Sequence, residues 1–448
     1  MLRKKGVEGI TALAEVSVFV GREREIQDFF SVLDKKAISE YQVLSYYGIG
    51  GIGKSQFRME LMDRLKKDER KGYAYLNFET EAHQKLENAL VQLRTMFGES
   101  YKVPFNKFDL TYLLYMKKSA PRMQIKEDAF PYLEEGSIFA DLIGIVNNIP
   151  EISLFPKMFN LLHKSIKKWK LKEIKSFLEL LEVKEPHELL DMLPGVFSQD
   201  LSEFIRHNEK KFVIFIDTYE ALWQNQRLKA YDFSVDQWVT ELVEELPEVL
   251  WVILGREKLY WEVFEPQWRE VTTQTELGAL AFKETDWLLR RKGITEEEII
   301  EAICRNADGH PYSIMLARDL YQDIRISRVP IQADFEWDKT PVKLFKRLMK
   351  YLMESEKQAM ERLALTRTWN YEIYDALMKR FQIQMNRDDF QKLERFSFIS
   401  KQSDDRWGMH RLMRASLVDY QSNNTFLEGH TFLFEHYQNR LSRELTFS

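Results

Sequence analysis

The stretch SYYGIGGIGKSQ, residues 45–56, puts four glycines and a lysine directly after aromatic and aliphatic residues. A strand is expected to end at Tyr47 and a helix to begin near Lys54, with almost bare backbone between them. Gly48-Ile49-Gly50-Gly51-Ile52-Gly53-Lys54-Ser55 fits the pattern G-x-x-x-x-G-K-[ST]. Such a loop turns several backbone N–H groups inward, in conformations that side chains resist. The helix that follows adds the positive end of its dipole. Together they suit a di- or triphosphate. Lys54 is then the group for the β- and γ-phosphates and Ser55 a ligand for Mg2+, with Gln56 beside them in the same turn. The flanks agree: YQVLSYY reads as a buried strand, and SQFRMELMDRL places Phe57, Leu61 and Leu65 on one helical face.

A phosphate loop needs a carboxylate to orient Mg2+, expected on a neighbouring strand. KKFVIFIDTYEAL (210–222) supplies it: Phe212 to Ile216 form a short apolar strand ending at Asp217. Glu220 follows and is placed to polarise an attacking water, or else is a helix-starting acid. In EVLWVILGREKLYW (248–261), Val249 to Leu254 form another strand, beside that of the loop. Arg256 at its end is placed to sense a γ-phosphate. GYAYLNFE (72–79) adds a further strand, and the alternation of strands and helices predicts a parallel α/β sheet.

The remaining composition narrows the classes. With 448 residues, 44% hydrophobic and 30% charged, the chain has material for two to four domains. A net charge of −5 gives no global field for nucleic acid or membrane. The single cysteine, Cys304, excludes an internal disulfide framework and suits a reducing compartment, so a cytoplasmic protein is expected. No apolar run approaches the ~20 residues of a membrane span.

Along the chain, residues 81–205 separate two strands by far more than one crossover helix, and their apolar spacing predicts an α-helical insertion. Within it KSIKKWKLK (164–172) carries five lysines, read as a solvated helix face. Residues 276–335 read as a small helical domain. In 336–425, helical segments precede SFISKQSDDRWGMH, a hairpin turning at Asp404-Asp405, which together predict a winged-helix domain. Residues 426–448 have helical spacing, and HTFLFEHYQNRL looks like the first helix of a tetratricopeptide-like repeat.

VFVGREREI (18–26) ahead of the loop, together with GIGGIGKS, resembles the nucleotide-binding module of STAND signal-transduction ATPases, the NB-ARC and NACHT relatives. The resemblance covers roughly residues 18–80 and 205–420. It implies a nucleotide-binding domain over 18–275 after an N-terminal segment 1–17. It also implies that Val20, Gly21 and Arg22 line an adenine pocket and that Arg256 is the sensor arginine. DGHPYSIMLA (308–317) resembles the family's G-x-P motif, putting Pro311 on the nucleotide. WGMHRLMR (407–414) resembles the M-H-D motif, with His410 on the β-phosphate of ADP and Arg411 where the family has an acid. The implied function is a switch closed with ADP that self-associates on exchange for ATP and hydrolyses ATP slowly. The implied partners are nucleotide, Mg2+, further copies of the chain and an unidentified protein trigger. Two alternatives use the same loop. One is a fast ATPase or small-molecule kinase. The other is a transcription regulator whose winged helix binds DNA through residues such as Arg387 and Lys392, although the mixed charge of RDDFQKLERF argues against nucleic acid.

Overall fold

The computed structural model describes residues 19–35, 42–121, 142–143, 146, 158, 171–223, 235–337, 349, 352–393, 396, 398–403 and 405–446. They form two compact units. One comprises Arg22–Ile49 and Lys54–Leu277; the other comprises residues 19–21, Gly50–Gly53 and residues 278–446.

The first unit is an α/β layer around a five-stranded parallel sheet: β1 (Gln42–Tyr47), β2 (Lys71–Asn77), β3 (Lys211–Asp217), β4 (Leu250–Gly255) and β5 (Thr272–Glu276), in the order β2-β3-β4-β1-β5. Composition accounts for that order. KFVIFID and LWVILG are apolar almost throughout and buried on both faces, as central strands covered by helices must be. KGYAYLN alternates between buried and half-buried positions and lies at one edge. TTQTE is polar, contributes no buried residue and closes the other edge. This fifth strand was not expected from sequence, because five polar residues carry no hydrophobic period. The order also corrects one expectation. Asp217 is not on a strand next to β1: β4 lies between them, pairing with β1 through Gln42–Leu250 and with β3 through Val213–Leu250. Hydrophobic runs give strands but not their neighbours.

The long connection between β2 and β3 is helical where described: Leu86–Tyr101, Asn106–Ser119, Leu171–Glu182 and Pro186–Asn208. Residues 164–170 of the lysine-rich stretch lie outside the described residues. Aromatic packing joins the helices, with Phe105 stacked on Phe197 at 4.9 Å and Phe108 edge-on to Phe197 at 5.7 Å. Arg94 grips the buried Asp109 with two hydrogen bonds of 2.8 and 2.6 Å. Lys118 Nζ donates to the carbonyls of Leu181, Glu182 and Lys184, closing the C-terminal end of Leu171–Glu182.

In the second unit, helices Phe282–Arg291, Glu297–Ala307 and Pro311–Ser327 form the small helical domain. A winged-helix domain follows: helices Glu354–Leu363, Tyr371–Arg380 and Arg387–Leu393, the hairpin of β7 (Ile399–Ser403) and β8 (Arg406–Met409), and helix Arg411–Tyr420. The hairpin matches the sequence reading, although Asp404 lies outside the described residues. A two-residue strand, β6 (Thr368–Trp369), pairs with β8 and was too short to leave a pattern. The C-terminal helix begins at Asn423, three residues before the expected start, and runs to Thr446. Among the described residues, no helix is long and apolar enough to cross a membrane.

Asp200 gives this fold a pH dependence. Its carboxyl is buried and accepts the backbone N–H groups of Lys107 and Phe108 at 2.9 and 3.0 Å. Burial pushes its pKa up to about 8 from an ordinary 3.8. A folded-state pKa above the unfolded one gives stability that is full below about pH 4 and is lost as pH rises through about 8. Asp200→Asn keeps an oxygen for both N–H groups and has no proton to lose. Urea denaturation should therefore show the variant more stable than the parent at pH 9 and equal to it at pH 4.

Candidate functional site

The glycine loop starts where β1 stops. Gly48 N–H donates to Gly255 O at 3.2 Å, so the end of β1 is tied to the end of β4 before the chain turns. Lys54 opens the helix Lys54–Leu65, whose buried residues Phe57, Leu61 and Leu65 are those expected from the spacing, with Met62 added. With that face anchored in the core, Lys54 Nζ folds back and donates to Gly48 O at 2.6 Å and Ile49 O at 3.0 Å. Ser55 and Gln56 sit exposed in the first helical turn.

At the carboxyl end of β3, Asp217 is 3% exposed. Its Oδ1 accepts Thr218 N–H at 2.8 Å, and its Oδ2 accepts Arg58 Nε–H at 3.1 Å. Glu220 is an acid in the first turn of a short helix, yet it is buried. It lies in the short helical turn Tyr219–Trp223, 5% exposed, and faces Arg256. Arg256 Nε is 3.1 Å from Glu220 Oε1, and Arg256 N–H donates to Glu220 Oε2 at 3.2 Å. The structure thus joins two expected site residues, Glu220 and Arg256, and supplies Asp217 with a partner that sequence reasoning missed. The only signal for Arg58 was its place three residues after Ser55. Arg22, expected at a base, has its guanidinium 3.9 Å from Glu25 Oε1, within the helix start.

The middle of the loop packs within the second unit. Gly51 and Gly53 take positive φ, +82° and +95°, as a backbone with inward N–H groups requires. Ile52 is buried, whereas Ile49 is 64% exposed. The partners of Gly50, Gly51 and Gly53 come from D-G-H-P-Y, residues 308–312. Asp308 caps the preceding helix in the left-handed region, Gly309 turns at φ +67°, His310 is the N-cap and Pro311 the first residue of the next helix. This turn delivers three neighbouring contacts to the loop. His310 Nε2 lies 3.0 Å from Gly50 O, Tyr312 N–H donates to Gly51 O at 3.3 Å, and Pro311 stands beside Gly53.

His410 caps the helix Arg411–Tyr420, accepting Leu412 N–H on Nδ1 at 3.4 Å. Its ring stacks on Tyr312 at 4.6 Å, interplanar 21°. Burial pushes the Tyr312 phenol well above its ordinary pKa, so the ring stays neutral. His310 and Tyr312, which flank the expected Pro311, were missed by sequence reasoning. Val20 packs partly buried against the apolar core of this unit. Gly21 turns at φ +74° against Glu284, whose carboxylate would meet any side chain there. The positive φ is what favours glycine at position 21, since the carboxylate end of Glu284 can move aside.

No protein-family model matches the chain, and no curated protein does. Among solved structures, the ORC2 protein of Aeropyrum pernix in ADPNP–ADP complexes is similar at 10% identity and TM-score 0.36, over 91% of this chain and 93% of that one. A Walker-type ATPase of Pyrococcus abyssi is similar at 13% identity and TM-score 0.35, over 89% and 96%. Drosophila ORC bound to DNA is similar at 10% identity and TM-score 0.36, over 93% and 95%. Likeness at these identities and scores decides nothing about the chemistry of this chain.

The loop geometry gives a direct test. A Cβ on Gly51 would lie 2.9 Å from His310 Cε1 and from Tyr312 Cβ, in a left-handed conformation. Gly51→Ala should destabilise the second unit by about 1–3 kcal/mol in chemical denaturation. Ile49→Ala, at an exposed position of the same loop, should change stability by less than about 0.5 kcal/mol.

Proposed function

We propose that the chain is a nucleotide-operated switch of the STAND type, binding ADP and ATP through the Gly48–Ser55 loop. The observation that carries this reading is the strand–glycine loop–helix of residues 42–65, with Gly51 and Gly53 at positive φ and a buried Asp217 at the carboxyl end of the same sheet. In this reading the loop N–H groups and Lys54 hold the phosphates. Val20, Gly21 and Arg22 face the adenine. Lys54 now satisfies two loop carbonyls, and a phosphate would draw its ammonium away from them.

The donors for Mg2+ fit in kind: a hydroxyl, Ser55, and a carboxylate, Asp217, are hard oxygen ligands of the sort the ion takes beside phosphate oxygens and water. The ion would neutralise phosphate charge. Slow hydrolysis suits the Glu220–Arg256 pair, because a carboxylate held by a guanidinium is a poor base toward water. Arg256 would leave Glu220 to meet a γ-phosphate, coupling the sensor to the base.

The switch reading gains support from the packing of Gly50–Gly53 with His310, Pro311 and Tyr312, and of Tyr312 with His410. A phosphate in the loop would act on backbone that these residues already touch. A ligand favouring one arrangement stabilises it by about 2.7 kcal/mol at a hundredfold excess over its Kd. That biases a two-state element by roughly a hundredfold. Exchange to ATP would release the His410 arrangement and permit self-association.

Dissociation of labelled ADP tests the reading. Lys54→Ala should abolish retention, and His410→Ala should speed release by about tenfold, the effect of losing one ring contact and its hydrogen bond. Unchanged release from His410→Ala would remove the lock. Unchanged retention by Lys54→Ala would remove the phosphate site.

A further inference from the structure

Arg58 occupies the one carboxylate that the phosphate-loop reading assigns to a metal ion. It lies one turn into the helix Lys54–Leu65, with its side chain 12% exposed against 5% for Asp217. Four contacts seat the pair. Arg58 Nε donates to Asp217 Oδ2 at 3.1 Å, and its Nη1 reaches Met62 Sδ at 3.1 Å. The guanidinium lies over the Tyr75 ring, Cζ 4.6 Å from the centroid. The remaining oxygen, Asp217 Oδ1, accepts the N–H of Thr218, a non-glycine residue at φ +59°. Both oxygens are therefore engaged and the carboxylate is held in one orientation by a strained neighbour.

A divalent cation takes a carboxylate oxygen along its lone pair at about 2 Å. At that range it meets the guanidinium as a like charge in a poorly hydrated setting. Sharing Oδ2 would press two cations together, and their repulsion sets them in competition. The Tyr75 ring already carries the guanidinium, and an aromatic face would go on holding the cation once its hydrogen bond to Asp217 is lost. In the structure Arg58 touches Asp217 and Tyr75 at once, and a metal on Asp217 would leave it Tyr75 alone.

We propose that Arg58 is a positioning residue that competes with the divalent cation for Asp217. In this role it neutralises the buried acid while the metal is away and sets the concentration at which the metal enters. The inference rests on the reading of residues 48–55 as a nucleotide loop and deepens it. It makes nucleotide binding separable from metal binding, with ADP held in EDTA and Mg2+ joining only at higher concentration.

The experiment titrates Mg2+ at saturating ADP and follows the melting temperature of the full chain, starting in EDTA. Arg58→Gln should lower the Mg2+ midpoint by about tenfold, the size expected for removing one charge-assisted hydrogen bond. Arg58→Lys keeps the charge, lacks the planar fork and should move the midpoint less in the same direction. It also serves if Arg58→Gln fails to fold by far-ultraviolet circular dichroism. A purely structural role predicts a lower melting temperature in EDTA with the midpoint unmoved, and that result overturns the proposal. Should ADP fail to raise the melting temperature of the parent in EDTA or in Mg2+, the nucleotide loop itself is overturned and this proposal with it.

Discussion

A buried strand has to become a helix within six residues, Gly48 to Gly53, with hardly a side chain to help. That constraint organises the rest. Glycine alone takes the positive φ angles at Gly51 and Gly53 without strain. The strand before the loop is buried on both faces, so its end cannot shift, and the helix after it is fixed by Phe57, Leu61 and Leu65. The loop is thus stretched between two rigid anchors and lined by its own backbone. Its carbonyls take Lys54 at one end and His310 and the Tyr312 N–H in the middle.

The charges near the carboxyl ends of the central strands form matched sets. Asp217 has Arg58, and Glu220 has Arg256. Both acids are buried, and a buried carboxylate without a counter-charge would be costly. Each arginine therefore stabilises the buried acid beside it. In the proposed reading, ligand arrival would be an exchange of partners, as a switch between discrete states needs.

The sequence was most informative where the physics is local. The loop, the helix after it, the burial of Phe212 to Ile216 up to Asp217 and the β7–β8 hairpin all follow from glycine placement and hydrophobic period. Strand order did not, because the place of β4 between β1 and β3 depends on pairings between segments far apart in the chain. β5 was hidden by its polarity. Arg58, His310 and Tyr312 escaped for another reason. Each adjoins a motif residue, yet only the fold shows that its side chain or backbone reaches a distant partner. The nucleotide roles expected of Val20, Arg22, Pro311 and His410 came from resemblance; the structure shows Pro311 beside Gly53 and His410 on Tyr312.

The measurement that bears most directly on the central claim is the nucleotide content of the gently purified chain. The protein would be dialysed, denatured in acid, and the supernatant resolved by anion exchange. The account predicts about one ADP per chain, held through dialysis by a slowly exchanging site. A chain that releases no nucleotide, and whose melting temperature is unmoved by ADP or ATP with Mg2+, would contradict it.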